Sequence, residues 1–158
     1  MSIYVFTPTD LAKRKTKKLE YMIYTNFKHL SQYPNLLHTN NEIIKLLTSK
    51  NIQFYLYIKK AKIAAYLVGD IIDLGSGSRK VLFINYIFVA KAFRSAGIGN
   101  ILLNYAQKVA RDKNIDGIML VCDTENTPVH DWYLRHGFML DLELRRYEKY
   151  DVLYKNII

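Results

Sequence analysis

The chain has 158 residues, half of them hydrophobic, a single cysteine and a net charge of +9. That length suits one well-buried core and is short for two ordinary domains, so one domain over 1–158 is expected. A lone thiol, Cys122, excludes an intramolecular disulfide framework and a thiolate zinc cluster.

Ile3 to Thr7 reads as a short strand. Pro8-Thr9-Asp10 then offers a turn and an N-cap before a helix whose apolar side carries Leu11, Leu19, Met22, Ile23 and Phe27. The basic run Lys13-Arg-Lys-Thr-Lys-Lys18 falls on this helix; solvated helix surface explains it, and no nucleic-acid motif accompanies it, so nucleic acid is disfavoured as a partner. Ser31-Gln-Tyr-Pro34 breaks the helix, and a shorter one is expected over about 41–49 with Ile43, Ile44, Leu46 and Leu47 facing the core. His29 and His38, in or near the connection, are expected at the surface.

Residues 52–59 and 62–72 are rich in β-branched and aromatic types, and the short Lys59-Lys60-Ala61 link makes them an antiparallel hairpin. Leu74-Gly-Ser-Gly-Ser-Arg-Lys80 is read as a hairpin loop, because a phosphate loop ends at a helix and this segment enters the apolar strand 81–89. Ile101, Leu102, Tyr105 and Val109 repeat at helical spacing up to Asn114, a short strand follows over 117–122, and Pro128 suits the first turn of a helix that ends at Gly137. From Phe138 a last strand is expected, with Leu140, Leu142 and Leu144 alternating against Asp141 and Glu143. The order predicts an α/β fold with a mixed sheet and helices packed against it. The N-terminus lacks the layout of a signal peptide and no apolar run reaches spanning length, so a cytoplasmic protein with no membrane partner is expected.

The stretch Phe93-Arg-Ser-Ala-Gly-Ile-Gly-Asn100 sits between an apolar strand and a helix. A helix start leaves amides without intrahelical partners and carries partial positive charge. Gly97 and Gly99 let a ligand approach the main chain, and Arg94 adds a cation shaped for phosphate oxygens, so the stretch suits a pyrophosphate; a tight turn or close packing explains the glycines equally. A dinucleotide fingerprint fails at Leu102, where a third glycine is required.

Val89-Ala-Lys-Ala-Phe-Arg-Ser-Ala-Gly-Ile-Gly99 resembles the acyl-CoA signature of the GNAT superfamily of N-acetyltransferases. Asn126-Thr-Pro-Val-His-Asp-Trp-Tyr-Leu-Arg-His-Gly-Phe138 resembles its second signature, an asparagine with a tyrosine seven residues later and then Gly-Phe. The resemblance implies a mostly antiparallel central sheet splayed at its fourth and fifth strands, acetyl-CoA as cosubstrate, no metal, and direct acetyl transfer to a primary amine. It implies that the main chain of Ile87, Phe88 and Val89 bonds the pantetheine arm and supplies an oxyanion donor. The amides of Arg94, Ser95, Ala96, Gly97, Ile98 and Gly99, with Asn100, would hold the pyrophosphate. Asn126 would bond the pantetheine from the other side, and Tyr133 would face the thioester sulfur and protonate the departing thiolate.

The carry-over fails at the base. Where many relatives place a glutamate, four residues before the strand-ending valine, this chain has Asn85, and an amide does not accept a proton at neutral pH. Asp123 is the candidate, although capping of the following turn explains it too; Glu125 is a weaker one, accounted for by helix-start electrostatics. Cys122 and Trp132 read as packing residues. His130 and His136, six apart, do not have the spacing of a metal pair. The resemblance places the acceptor near Thr25 to Asn40 and Leu144 to Tyr150. There Tyr24, Phe27, Tyr33, Tyr86, Tyr147 and Tyr150 form either an aromatic wall for an alkylammonium or core. A protein or peptide amine is the favoured acceptor, with a small-molecule (polyamine or amino sugar) acetyltransferase and a non-catalytic CoA-binding module as alternatives. A monomer or a homodimer paired through the last strand is compatible with this reading.

Overall fold

A computed structural model of the chain describes residues 3–13, 16–32, 36, 38–75, 79–141 and 150–157. In order they form β1 (Ile3–Phe6), α1 (Pro8–Lys13), α2 (Thr16–Asn26), a 3-10 turn (Lys28–Gln32), α3 (Asn40–Leu47), β2 (Ile52–Lys59), β3 (Lys62–Leu74) and β4 (Arg79–Val89). A second 3-10 turn (Lys91–Phe93) leads to α4 (Ile98–Asp112), β5 (Gly117–Asp123), α5 (Thr127–Arg135), β6 (Met139–Leu140) and β7 (Tyr150–Asn156). The sheet is mixed, as the sequence predicts, and its strands lie in the order β1-β2-β3-β4-β5-β7-β6. β4 and β5 pair parallel from Val81↔Gly117 to Phe83↔Met119, although β4 runs on to Val89 and β5 to Asp123. Among the described residues no helix is long and apolar enough to cross a membrane.

The chain divides into two compact units, Met1–Asp70 with Tyr86–Leu103, and Ile71–Asn85 with Asn104–Ile158. In the first, Thr7 rather than the Pro8–Asp10 turn caps the opening helix. Its hydroxyl accepts from the Asp10 amide at 3.1 Å while the Asp10 carboxylate accepts from the Thr7 amide at 3.1 Å, a reciprocal box that satisfies two orphan donors. At α3 the Thr39 hydroxyl is the cap, accepting from the Glu42 amide at 3.2 Å. The β2–β3 hairpin turns on Lys60 and Ala61, both left-handed (φ 53° and 59°), the conformation whose twist matches that of the flanking strands. Leu11, Ile23, Ile43, Leu47, Phe54, Tyr66 and Val68 close the core of this unit.

The second unit is built on the β5–β7 ladder, paired antiparallel from Gly117↔Asn156 to Asp123↔Tyr150. A Cβ on Gly117 would meet the Tyr154 ring and the Lys155 carbonyl oxygen, so only glycine permits this approach of the strands. Val81, Met119 and Val152 form the core, with Ile72, Leu74, Phe83, Val121 and Tyr154 packed around it. Arg79 pairs with Asp141 at 3.0 Å and lies 4.6 Å over the Tyr154 ring.

Two further expectations change. The strand from Phe138 is only Met139–Leu140, with Leu142 and Leu144 outside the described residues, and the chain adds β7, which inserts between β5 and β6. His29 is exposed, but His38 is buried, at 4% exposure, because both of its ring nitrogens are hydrogen-bonded inside the first unit.

Candidate active site

The glycine-bearing junction belongs to the first unit. The Ala90 amide donates to the Ala64 carbonyl at 2.8 Å, fixing the end of β4, and the 3-10 turn follows directly. Arg94 is exposed, and its Nε donates back to the Val89 carbonyl at 3.0 Å, which anchors the guanidinium beside the loop. Ser95 and Gly97 are both left-handed (φ 67° and 76°), so the loop turns sharply just before α4. Ile98, 2% exposed, pins the start of α4, and Leu102, Leu103, Ala106 and Ala110 continue the buried stripe along the helix. Leu102, the residue that spoils a dinucleotide fingerprint, is thus a core side chain.

This junction has what a diphosphate needs. The first-turn amides of α4 lack intrahelical partners, the helix start carries positive potential, and a fixed cation stands next to them. A Cβ built on Gly97 meets nothing within 4 Å, so the space in front of the loop is open, and it is the positive φ that makes glycine fitting there. Residues Arg94 to Gly97 and Asn100 are exposed, while Ile87, Phe88 and Val89 are half-buried. The residues therefore fit the pyrophosphate and arm of coenzyme A.

Asp123, Asn126 and Tyr133 belong to the second unit. Asp123 Oδ1 accepts from the Glu125 amide at 2.8 Å and its carbonyl accepts from the Asn126 amide at 3.3 Å, so the carboxylate caps the turn between β5 and α5. Glu125 is exposed. Asn126 caps α5 through its carbonyl, which accepts from the His130 amide at 3.0 Å; its side-chain amide takes no part in the cap and is exposed. Tyr133 is 4% exposed, with the Trp132 and Phe138 rings edge-on at 5.0 and 5.4 Å. Burial, and secondarily Cys122, push its phenol far above the usual range, so it holds its proton at any ordinary pH.

Cys122 is 5% exposed, and burial followed by the charges of Asp123 and Asp151 pushes its thiol up to about 12. A thiol held that high is a packing group rather than a nucleophile. His130 Nε2 meets Asp151 Oδ2 at 3.1 Å, and His136 Nδ1 donates to the Trp132 carbonyl at 2.7 Å. No cluster of three metal-ligating side chains occurs among the described residues.

Of the expected aromatic wall, Tyr33 and Tyr147 lie outside the described residues and Tyr150 is in the second unit. Tyr24, Phe27 and Tyr86 do come together in the first unit: Phe27 is 4.8 Å from Tyr86, and Phe88 and Tyr66 extend the cluster. Sequence reasoning missed what ties it up. His38 stacks on Tyr24 at 5.1 Å, its Nδ1 lies 2.8 Å from Tyr86 Oη, and its Nε2 lies 3.2 Å from the Tyr24 carbonyl. Asn26 donates to Tyr66 Oη at 2.9 Å. Burial pushes both the Tyr66 and Tyr86 phenols up to about 12.

A family model for the Acetyltransferase (GNAT) family matches residues 18–138, and the chain belongs to that family of acyltransferases. Among solved structures it is similar to a GNAT acetyltransferase from Staphylococcus aureus Mu50, at TM-score 0.69 and 18% identity over 99% of this chain and 100% of that one. Arabidopsis thaliana NAA60 in complex with acetyl-CoA superposes at TM-score 0.68 and 16% identity, covering 99% and 98%. The aminoglycoside acetyltransferase meta-AAC0020, from an uncultured soil metagenomic sample and in complex with sisomicin, does so at 0.65 and 15%, covering 93% of each chain. These likenesses are of fold.

Proposed function

We propose that the chain, as one domain over 1–158, transfers the acetyl group of acetyl-CoA to a primary amine by direct attack. The observation that carries this is the Arg94–Gly99 junction, an open helix start with left-handed Ser95 and Gly97 and an anchored arginine. The complex of NAA60 with acetyl-CoA, on the same fold, supports it. Acetyl-CoA supplies an activated acetyl group and a thiolate leaving group. The amides from Arg94 to Gly99, with Asn100, hold its pyrophosphate, while the main chain of Ile87–Val89 and the Asn126 side chain hold its arm. A backbone N–H from Ile87–Val89 faces the carbonyl oxygen as negative charge builds there. Tyr133, whose burial makes it a very weak acid, keeps its hydrogen and directs it at the sulfur, stabilising the developing thiolate as a hydrogen-bond donor.

The acceptor is a protein or peptide amine in this reading, its ammonium entering beside the Tyr24, Phe27 and Tyr86 rings, which attract cations. The sisomicin complex on the same fold keeps an amino sugar as the second reading. Asp123 remains a candidate proton acceptor, relaying through water from the turn it caps. The test is thiol release from acetyl-CoA with spermidine, an aminoglycoside and a peptide bearing a free N-terminus. Release with the peptide alone supports the reading; release with the aminoglycoside alone replaces the acceptor; binding without release leaves a coenzyme-A-binding module.

A further inference from the structure

The residue aligned with the usual base is an exposed asparagine, Asn85, yet an amine attacks only as the neutral form, so a proton must leave it. We propose that Tyr86, backed by His38, takes that proton: Tyr86 touches the acceptor nitrogen and His38 is the positioning and relay residue behind it. This rests on the acetyltransferase reading given above.

The tautomer of His38 follows from its partners. The Tyr24 carbonyl oxygen only accepts, so Nε2 carries the ring hydrogen. Nδ1 of the neutral ring is then a bare lone pair, and the Tyr86 hydroxyl donates to it at 2.8 Å. Tyr86 Oη consequently keeps its own lone pairs for a donor, and its ring is half-buried on the strand that continues into Ile87–Val89, whereas His38 is 4% exposed. The proton moves in two linked transfers. An N–H bond of the ammonium breaks as Tyr86 Oη–H forms, and the original Oη–H bond breaks as Nδ1–H forms. The neutral amine then attacks, the C–N bond forming as the C–S bond breaks, and the new amide nitrogen gives up its second proton through water to the departing thiolate. The His38 imidazolium, its Nε2–H still on the Tyr24 carbonyl, afterwards returns its proton to water.

The surroundings suit a transient rather than a permanent imidazolium. Burial and the neighbouring His29 lower the basicity of His38, keeping Nδ1 unprotonated at neutral pH, while the Tyr24 carbonyl opposes them. Glu42, from α3, places negative charge near Tyr86, and Tyr66, from β3, is the other titratable group facing it. The Tyr66 phenol, held up at about 12, keeps its proton and supplies no competing base.

The test is thiol release by Tyr86→Phe, His38→Gln and the double variant with the same three amines, from about pH 6 to about pH 10. At about pH 7 each single variant should lose roughly 100-fold or more in kcat/KM, and the double variant should lose no more than the worse single, because the two act as one unit. The deficit should shrink toward pH 10, where the amine loses its proton unaided, and acetyl-CoA affinity should stay within about twofold. If His38→Gln does not fold, Tyr86→Phe decides alone, since it removes one oxygen and leaves the bond to Tyr24. A wild-type rate in Tyr86→Phe, or a loss equal at every pH, overturns the relay while the acetyltransferase stands. No thiol release by the wild-type protein with any of the amines overturns the acetyltransferase reading and the relay with it.

Discussion

Two phenols, one in each unit, show how environment divides chemical labour between identical side chains. Both Tyr86 and Tyr133 are pushed up by burial, but Tyr86 has an imidazole lone pair at 2.8 Å, while Tyr133 is enclosed by Trp132, Phe138 and Cys122. A phenol with a hydrogen-bond acceptor behind it can gain a proton in front and lose one behind. A phenol among rings and a thiol can only keep its hydrogen and point it. In the mechanism we propose, the same residue type serves proton acceptance in one place and leaving-group stabilisation in the other, the pattern by which one fold runs both halves of an acid–base reaction.

The change that removes both roles at once is Gly97→Glu. A left-handed side chain costs about 1–2 kcal/mol, and the carboxylate stands where phosphate charge is expected, so acetyl-CoA affinity should fall by about 100-fold or more in a protein that still folds. Calorimetry on this variant and on Gly97→Ala separates the charge from the strain. Tyr133→Phe should lower kcat by roughly 100- to 1,000-fold, the worth of one donor aimed at developing charge, with acetyl-CoA affinity unchanged. Unlike the Tyr86→Phe deficit, this one should be nearly flat with pH, because Tyr133 does not titrate in the accessible range. A Tyr133→Phe loss that vanishes at high pH would erase the contrast between the two phenols. Asp123→Asn should cost less, its amide oxygen still able to cap the Glu125 amide; a loss concentrated at neutral pH would move the proton acceptor from the first unit to the second.

The smallest expected effect is on stability. His38 is less basic in the folded chain than in the unfolded one, so below the unfolded value of 6.5 the native state binds fewer protons than the unfolded state. Its contribution is therefore present above that pH and lost as pH falls toward the folded value. Thermal midpoints should drop on acidification through about 6.5 in the wild type and show a weaker slope in His38→Gln.

What the sequence disclosed and what it hid follow from how local each signal is. The order of elements along the chain as far as α5, the hairpin and the Arg94–Gly99 junction were legible because they depend on neighbours in the chain: apolar runs, short links, glycines before a helical repeat. β7 was not, because Tyr150, Asp151, Val152 and Leu153 are all buried, so the strand lacks a period-two alternation, and its buried carboxylate meets His130, 21 residues away. His38 was misplaced for the same reason. Its partner Tyr86 is 48 residues distant, and nothing in its own neighbourhood announces burial. Asp123 was legible in both of its readings, and the geometry adds the cap without weighing the catalytic one.

The measurement that bears most directly on the central claim is calorimetric titration of acetyl-CoA into the wild-type protein and into Gly97→Glu, with released thiol followed after a peptide amine is added. Saturable binding by the wild type, lost in Gly97→Glu, with thiol released only when the amine is present, is the predicted result. Equal binding by both proteins, or by neither, would contradict the assignment of the Arg94–Gly99 junction as the seat of the coenzyme.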